Sequence, residues 1–456
     1  MDRRSFIKNT LALASGAAMT SCVSGNGNKN TDSVTAIGEM TTRTDPLTGV
    51  SVSLLGYGMM RLPLKDDMDS NGGRENAPID QEKVNALVDK AIEAHVTYFD
   101  TSPTYCSGNS ETATGIALAR HPRDKWTIAT KLSNFREEAQ TREASIAMYE
   151  NSFKALQVDY IDYYLLHSVG RSMENFNSRF IDNGMLDFLV GERLKGRIRH
   201  LGFSFHGNKE VFDTLLAMHG KYHWDFVQIQ MNYVDWECAT AKNPRNVNSS
   251  YLYDRLTELG IPVVIMEPLQ GGRLGNVPDH IAQDMQQREP SRSIASWAFR
   301  FCGTYPNILT TLSGMTYMEH LEDNLQSFCP LKPLTDEEST FLGQVAQKMT
   351  QYPTVPCNDC RYCIPCPYGI DIPGILQHYN KCVNEGLLAS DKEDPQYRRL
   401  RRKYLASYAR AILPQRQADK CIGCGQCKEK CPQSIDIPKE LRKLDRYVEN
   451  LRKEAL

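Results

Sequence analysis

At 456 residues the chain is long enough for two or three domains with a sizeable core. Its 53 basic and 55 acidic residues nearly cancel, leaving a net charge of -2 and no basis for nucleic-acid binding. Composition is 41% hydrophobic and 24% charged, as in ordinary globular proteins, and no apolar run reaches the roughly 20 residues of a spanning helix.

The chain opens Met1-Asp2-Arg3-Arg4-Ser5-Phe6-Ile7-Lys8, followed by the weakly apolar LALASGAAMTSC. Paired arginines with Phe6 and Lys8 in register predict a twin-arginine signal over residues 1–22. The expected route is the twin-arginine export machinery, and the expected location is the periplasm or cell envelope. Cys22, after Met19-Thr20-Ser21, resembles a bacterial lipoprotein cleavage site, so a lipid anchor there is a second expectation. Residues 23–45 are polar and rich in Gly, Asn and Thr, and read as a flexible linker.

From about residue 46 to 345, strand-like and helix-like patterns alternate with short loops. The strand runs are SVSLLGYG, VTYFDTS, TIATKL, YIDYYLLH, IRHLGFS, FVQIQMNY, PVVIMEPL and ILTTLSG. Amphipathic stretches such as EKVNALVDKAIEAH and ASIAMYENSFKALQ lie between them. Eight strand-then-helix repeats predict an α/β fold, a (β/α)8 TIM barrel. A doubly wound sheet is the alternative, but no Gly-x-Gly-x-x-Gly follows the first strand.

Residues 346–456 read differently. Eight of the 14 cysteines form two runs, Cys357, Cys360, Cys363, Cys366 and Cys421, Cys424, Cys427, Cys431. Each ends in the frame C-P-x-x-I-D-I-P, an internal repeat. Thiolates at two-residue intervals before a Cys-Pro predict two [4Fe–4S] clusters in a small α-rich ferredoxin-like domain. Zinc is the competing metal at this spacing. In two-cluster ferredoxins the fourth cysteine of each run ligates the other cluster. That pairs Cys431 with Cys357, Cys360 and Cys363, and Cys366 with Cys421, Cys424 and Cys427. The first run is one residue shorter before its last cysteine. The scattered Cys106, Cys238, Cys302, Cys329 and Cys382 suit no disulfide framework.

In such barrels the reacting groups sit at the C-terminal strand ends. Those ends carry Asp100 and Tyr105, Lys131, and His167, in the motifs YFDTSPTY, IATKL and YYLLHS. With these motifs the chain resembles the aldo-keto reductase family, whose Asp–Tyr–Lys–His tetrad they match. The resemblance implies NAD(P)-dependent hydride transfer between a nicotinamide cofactor and a small carbonyl or alcohol substrate. A tyrosine of pKa about 10 is a poor acid near neutrality. Lys131 is expected to lower it, Asp100 to hold Lys131, and His167 to orient the carbonyl.

The same resemblance implies cofactor contacts at Ser204 and Gln228, and at Pro268, Leu269, Gly271 and Gly272 after strand seven. It also implies contacts at Gly314, Asp323 and Asn324 after strand eight. Phe205 stands where asparagine is usual, and Met266 and Glu267 where an aromatic usually stacks on the nicotinamide. Thr316 and His320 replace the basic residues that commonly read a 2′-phosphate, so NADP(H) and NAD(H) both stay open. The expected partners are the small-molecule substrate and an envelope electron-transfer protein. The alternative expectation is an electron-transfer or binding protein whose barrel performs no hydride chemistry and whose clusters are relay or staple.

Overall fold

The structure, a computed structural model, describes residues 38–65 and 77–455. The twin-arginine segment, Cys22 and most of the 23–45 linker lie outside the described residues.

Eight parallel strands close a barrel in chain order: β1 (Leu55–Gly58), β2 (Tyr98–Asp100), β3 (Thr127–Leu132), β4 (Ile161–Val169), β5 (Ile198–Phe205), β6 (Phe226–Gln230), β7 (Val263–Met266) and β8 (Ile308–Ser313). β8 pairs with β1 to complete the ring. Side chains alternate between the two surfaces of each strand. Tyr98, Ala129, Tyr163, Leu165, Phe226 and Val264 fill the interior. Phe99, Ile128, Tyr164, Leu166, Val227 and Ile265 pack outward against the helices. The same two-residue step carries the inward parity to Asp100, Lys131 and His167 at the C-terminal rim. Strand periodicity alone therefore converges three polar groups on one point.

A two-stranded hairpin, Thr42–Thr44 with Ser51–Ser53, precedes the barrel. The Asp45 carboxylate beyond its first strand accepts a hydrogen bond from the Tyr163 hydroxyl at 2.7 Å and stands 3.3 Å from His200 Nε2. Val52 joins the interior cluster. The hairpin thus closes the N-terminal end, leaving the rim as the way in.

The outer helices start where side-chain caps satisfy their first amides. Asp80 caps Gln81–Glu93, whose Val84, Leu87, Val88 and Ala91 turn inward, and Thr141 caps Arg142–Leu156. A Thr335/Glu338 capping box starts Asp336–Thr350, which crosses the boundary expected at 345. Among the described residues no helix is long and apolar enough to cross a membrane.

The cysteine-rich region has its own core, built from the helices Ile372–Asn384, Tyr397–Ala411 and Ile437–Lys453. The repeated I-D-I-P has a physical reading. Ile370 and Ile435 are buried; Asp371 and Asp436 accept from Gly374 and Lys439 amides as N-caps. The following Ile372 and Ile437 are buried, and Pro373 and Pro438 occupy the first helical turn, where proline costs no hydrogen bond. Each repeat therefore converts a cysteine loop into a helix docked on one core.

Candidate active site

Lys131 Nζ donates to Asp100 Oδ1 at 2.6 Å and to the Thr101 carbonyl at 2.7 Å, with both side chains essentially buried. Burial pulls Lys131 down and Asp100 up, each against the attraction of the other. The ammonium stands 5.0 Å from the centre of the Tyr105 ring, over its face. Tyr105 follows β2 in a short 3-10 turn and is 9% exposed.

The expectation that Lys131 lowers the Tyr105 pKa is not met. Burial pushes this phenol well above its ordinary value, and the neighbouring Tyr362 phenol, Asp100 and Glu267 push the same way. Burial dominates, and two of the Lys131 donors go to Asp100 and Thr101.

His167 ends the inward row of β4. Its Nδ1 lies 2.5 Å from Ser133 Oγ, and its Nε2 lies 3.2 Å from the hydroxyl of Tyr362. Burial, with Lys131 and Arg179 nearby, holds its pKa well below 6.5, so the ring is neutral. The buried Arg179 donates to the His167 carbonyl at 2.7 Å and to Asn134 Oδ1 at 3.2 Å. It sits on a single π-helical turn, Asn177–Ile181. Arg179 and Ser133 carry no sequence motif, and only the folded rim shows their roles.

Tyr362 is the larger surprise, because it belongs to the cluster domain. Its loop crosses the barrel mouth. Arg61 pairs with Asp359 at 3.0 Å and donates to the Asn358 carbonyl at 2.5 Å. Asn358 donates to Glu267 at 2.6 Å. Arg273 reaches Thr354 at 2.9 Å, and Gln433 reaches Gln230 at the same distance. Glu267, at the end of β7, is pushed up to about 7 by burial, with Arg61 opposing. An open cleft remains between the rim and this domain, lined by Gln230, Asp235, Glu267, Arg273 and Asn358 among others.

The residues expected to hold a nicotinamide divide into a floor and a lip. Ser204 and Gln228 face each other across β5 and β6. Ser204 Oγ accepts from the Ser168 amide at 2.7 Å, and the buried Gln228 Oε1 has no partner among the described residues. An orphaned acceptor fits the amide end of a nicotinamide. Phe205 packs outward, away from this floor. At the lip, Pro268, Leu269, Gly271 and Gly272 form the turn after β7, with φ of +69° at Gly271 and +99° at Gly272. A Cβ on Gly271 would lie 2.3 Å from the Asn358 carbonyl oxygen, so the cluster loop itself exploits this glycine. Gly314 lies against the Arg61 side chain. Asn324 donates to Ser313 and Asp323 accepts from Ser293, both at 2.8 Å. Thr316 donates to the Arg61 carbonyl.

The cysteines fall into two groups. Cys360 feels the charge of Cys431, Cys357 and Cys363; Cys427 feels that of Cys421, Cys366 and Cys424. The structure thus sets each run's last cysteine among the thiols of the other run. A cavity of about 410 Å³ is lined by Cys363, Cys366, Cys421, Cys424 and Cys427. Cys366, Cys421, Cys424 and Cys427 around one such space fit a cubane cluster, and the grouping of Cys357, Cys360, Cys363 and Cys431 fits a second. Backbone amides of Asp359 and Tyr362 point at the sulfurs of Cys357 and Cys360. If ligation follows this grouping, Cys431→Ala and Cys357→Ala should each cost about half the iron and leave the same residual paramagnetic spectrum. Cys366→Ala and Cys421→Ala should leave the other spectrum. Electron paramagnetic resonance of dithionite-reduced protein checks this, and a match of Cys431→Ala to Cys421→Ala would oppose it.

Residues 54–346 match the Aldo/keto reductase family, and residues 356–436 match a 4Fe-4S dicluster domain. The chain belongs to the aldo/keto reductase family of oxidoreductases. It is similar to "Probable aldo-keto reductase 1" of Glycine max, at 28% identity over 50% of this chain and 59% of that protein. It is also similar to "L-galactose dehydrogenase" of Arabidopsis thaliana, at 24% identity over 64% of this chain and 90% of that one. The chain thus spans less than two thirds of the soybean protein.

Solved structures share the fold. A Bacillus halodurans aldo-keto reductase (holo form) superposes with a TM-score of 0.52 at 21% identity, covering 68% of this chain and 96% of its own. A Klebsiella pneumoniae aldo-keto reductase in complex with NADPH gives 0.51 at 20% identity, covering 67% and 95%.

Proposed function

We propose that this protein interconverts a small-molecule carbonyl compound and its alcohol at the rim of the barrel, using NADP(H) or NAD(H), and that its two [4Fe–4S] clusters exchange electrons with a partner protein. The observation that carries the reading is the convergence of Asp100, Tyr105, Lys131 and a neutral His167 on one buried point. The nicotinamide nucleotide, when bound, supplies or accepts the hydride. Tyr105 is the proton donor to the developing alkoxide, and the base in the reverse direction. A neutral His167 can donate one hydrogen bond to the substrate oxygen without competing as an acid. Asp100 fixes Lys131 over the face of the tyrosine ring, where its positive charge favours negative charge developing at the rim. Ser204 and Gln228 are assigned to the carboxamide end of the nucleotide. Gly271, Gly272 and Gly314 are assigned to its phosphates, and Asp323 and Asn324 to its adenosine side.

The export reading belongs to the same proposal. Arg3, Arg4, Phe6 and Lys8 support twin-arginine export to the periplasm or envelope, with Cys22 as a lipid-anchor site. Folded export suits a domain whose clusters must be inserted first.

One observation favours a second reading. The Tyr362 hydroxyl lies on His167 and the Asn358 carbonyl lies on Gly271, which is the arrangement of a barrel that serves the clusters without hydride chemistry. The discriminating experiment is NADPH- or NADH-dependent reduction of a carbonyl panel by protein purified anaerobically from the cell envelope. Saturable turnover is expected. None with any aldehyde or ketone, at full cluster content, would leave the second reading.

A further inference from the structure

We propose that Tyr362 is a residue of the barrel's reaction site, contributed by the cluster domain: its phenol holds the place of the substrate oxygen between Tyr105 and His167 until a substrate displaces it. The inference deepens the carbonyl-reduction reading and rests on it for one arm of its test.

Three observations carry it. First, the contacts are those a substrate oxygen would make. The Tyr362 hydroxyl is 3.2 Å from His167 Nε2 and shares hydrogen bonds with Tyr105 and Thr104. A phenol both donates and accepts, as an alcohol product does. Second, the ring fills a slot beside Phe135, at 5.8 Å between ring centres, with His167 on the same side. A flat ring carrying an oxygen fits the space it vacates, which points to aryl or cyclic carbonyl compounds as the substrate class. Third, the loop is held from both ends of its function. Cys357, Cys360 and Cys363 tie it to a cluster at every third residue. Asp359 and Arg361 adopt positive φ of 55° and 66°, a region non-glycine residues enter only when surroundings enforce it. On the barrel side, Arg61 grips Asn358 and Asp359. A cluster held by these cysteines would therefore fix Tyr362 in the reduction site.

The consequence is quantitative. A ligand that binds only the displaced form has its apparent affinity weakened by the fraction of molecules in that form. The test uses anaerobic holoprotein with both clusters, as wild type, Tyr362→Phe and Tyr362→Ala. Benzoate is titrated by calorimetry, and 4-nitrobenzaldehyde is offered with NADPH. Tyr362→Ala is expected to bind benzoate about 10-fold more tightly than wild type and to lower the aldehyde KM similarly. Tyr362→Phe, which keeps the ring and loses only the hydrogen bonds, falls between, and it decides the matter if the alanine variant loses iron. Equal or weaker benzoate binding in the variants, or none in any protein, overturns the proposal. Tighter benzoate binding without turnover would sink the hydride reading and leave this one standing. Turnover with an unchanged KM would do the reverse.

Discussion

Tyr105→Phe is expected to lower kcat for carbonyl reduction by about 10²- to 10⁴-fold, the range a single proton donor contributes. That is about 3–5 kcal/mol of barrel chemistry carried by one hydroxyl. The fold should persist, because the phenyl ring keeps its packing against His167 at 5.8 Å and beneath the Lys131 ammonium. Cluster spectra should be unchanged, since the substitution leaves all eight cysteines of the two runs in place. The check is steady-state turnover beside the visible spectrum of the same preparation. Turnover unchanged in Tyr105→Phe would remove this residue from the chemistry.

Lys131→Met is expected to do more damage, and of two kinds. Asp100 Oδ2 already lacks a partner among the described residues, and the substitution strips Oδ1 as well. An uncompensated buried carboxylate costs roughly 3–5 kcal/mol, visible as a lower denaturation midpoint of the barrel. Activity should fall with it. The double variant Asp100→Asn/Lys131→Met separates the two effects. Removing both charges should restore most of the stability, because a neutral pair carries no buried charge, while activity stays low. If the double variant recovered turnover, the ion pair would be structural and nothing else.

Much of this arrangement was legible in the residues. Eight alternating strand runs were enough for the barrel, because hydrophobic periodicity within one strand needs no distant contact. The tetrad was legible for the same reason: Asp100, Lys131 and His167 close three successive strands at inward positions. The C-P-x-x-I-D-I-P repeat announced both clusters, and its caps and buried isoleucines show why the repeat is shaped that way.

What the sequence hid were the contacts between residues far apart in the chain. Tyr362 sits between two cysteines, and nothing in their spacing marks it as reaching His167, 195 positions away. Gly271 read as a phosphate turn, yet its missing Cβ admits Asn358. Arg179 stands in no motif, yet it is buried, held by the His167 carbonyl and Asn134 that only the folded rim presents. The direction of the Tyr105 shift was also out of reach, since it depends on how deeply the folded rim buries the phenol. Docking of the cluster loop on the barrel decided the first two of these points.

The clusters and the barrel propose two routes for the same electrons, and one tracer tells them apart. Anaerobic holoprotein is given NADPH carrying deuterium at C4, in each stereochemical form in turn, with an aryl aldehyde. Direct hydride transfer at the Tyr105 site predicts that one form delivers its deuterium intact to the carbinol carbon of the product, as read by mass spectrometry. Alcohol formed without that label from either form, its new C–H bond drawn from solvent, would contradict the account and place the clusters in the path.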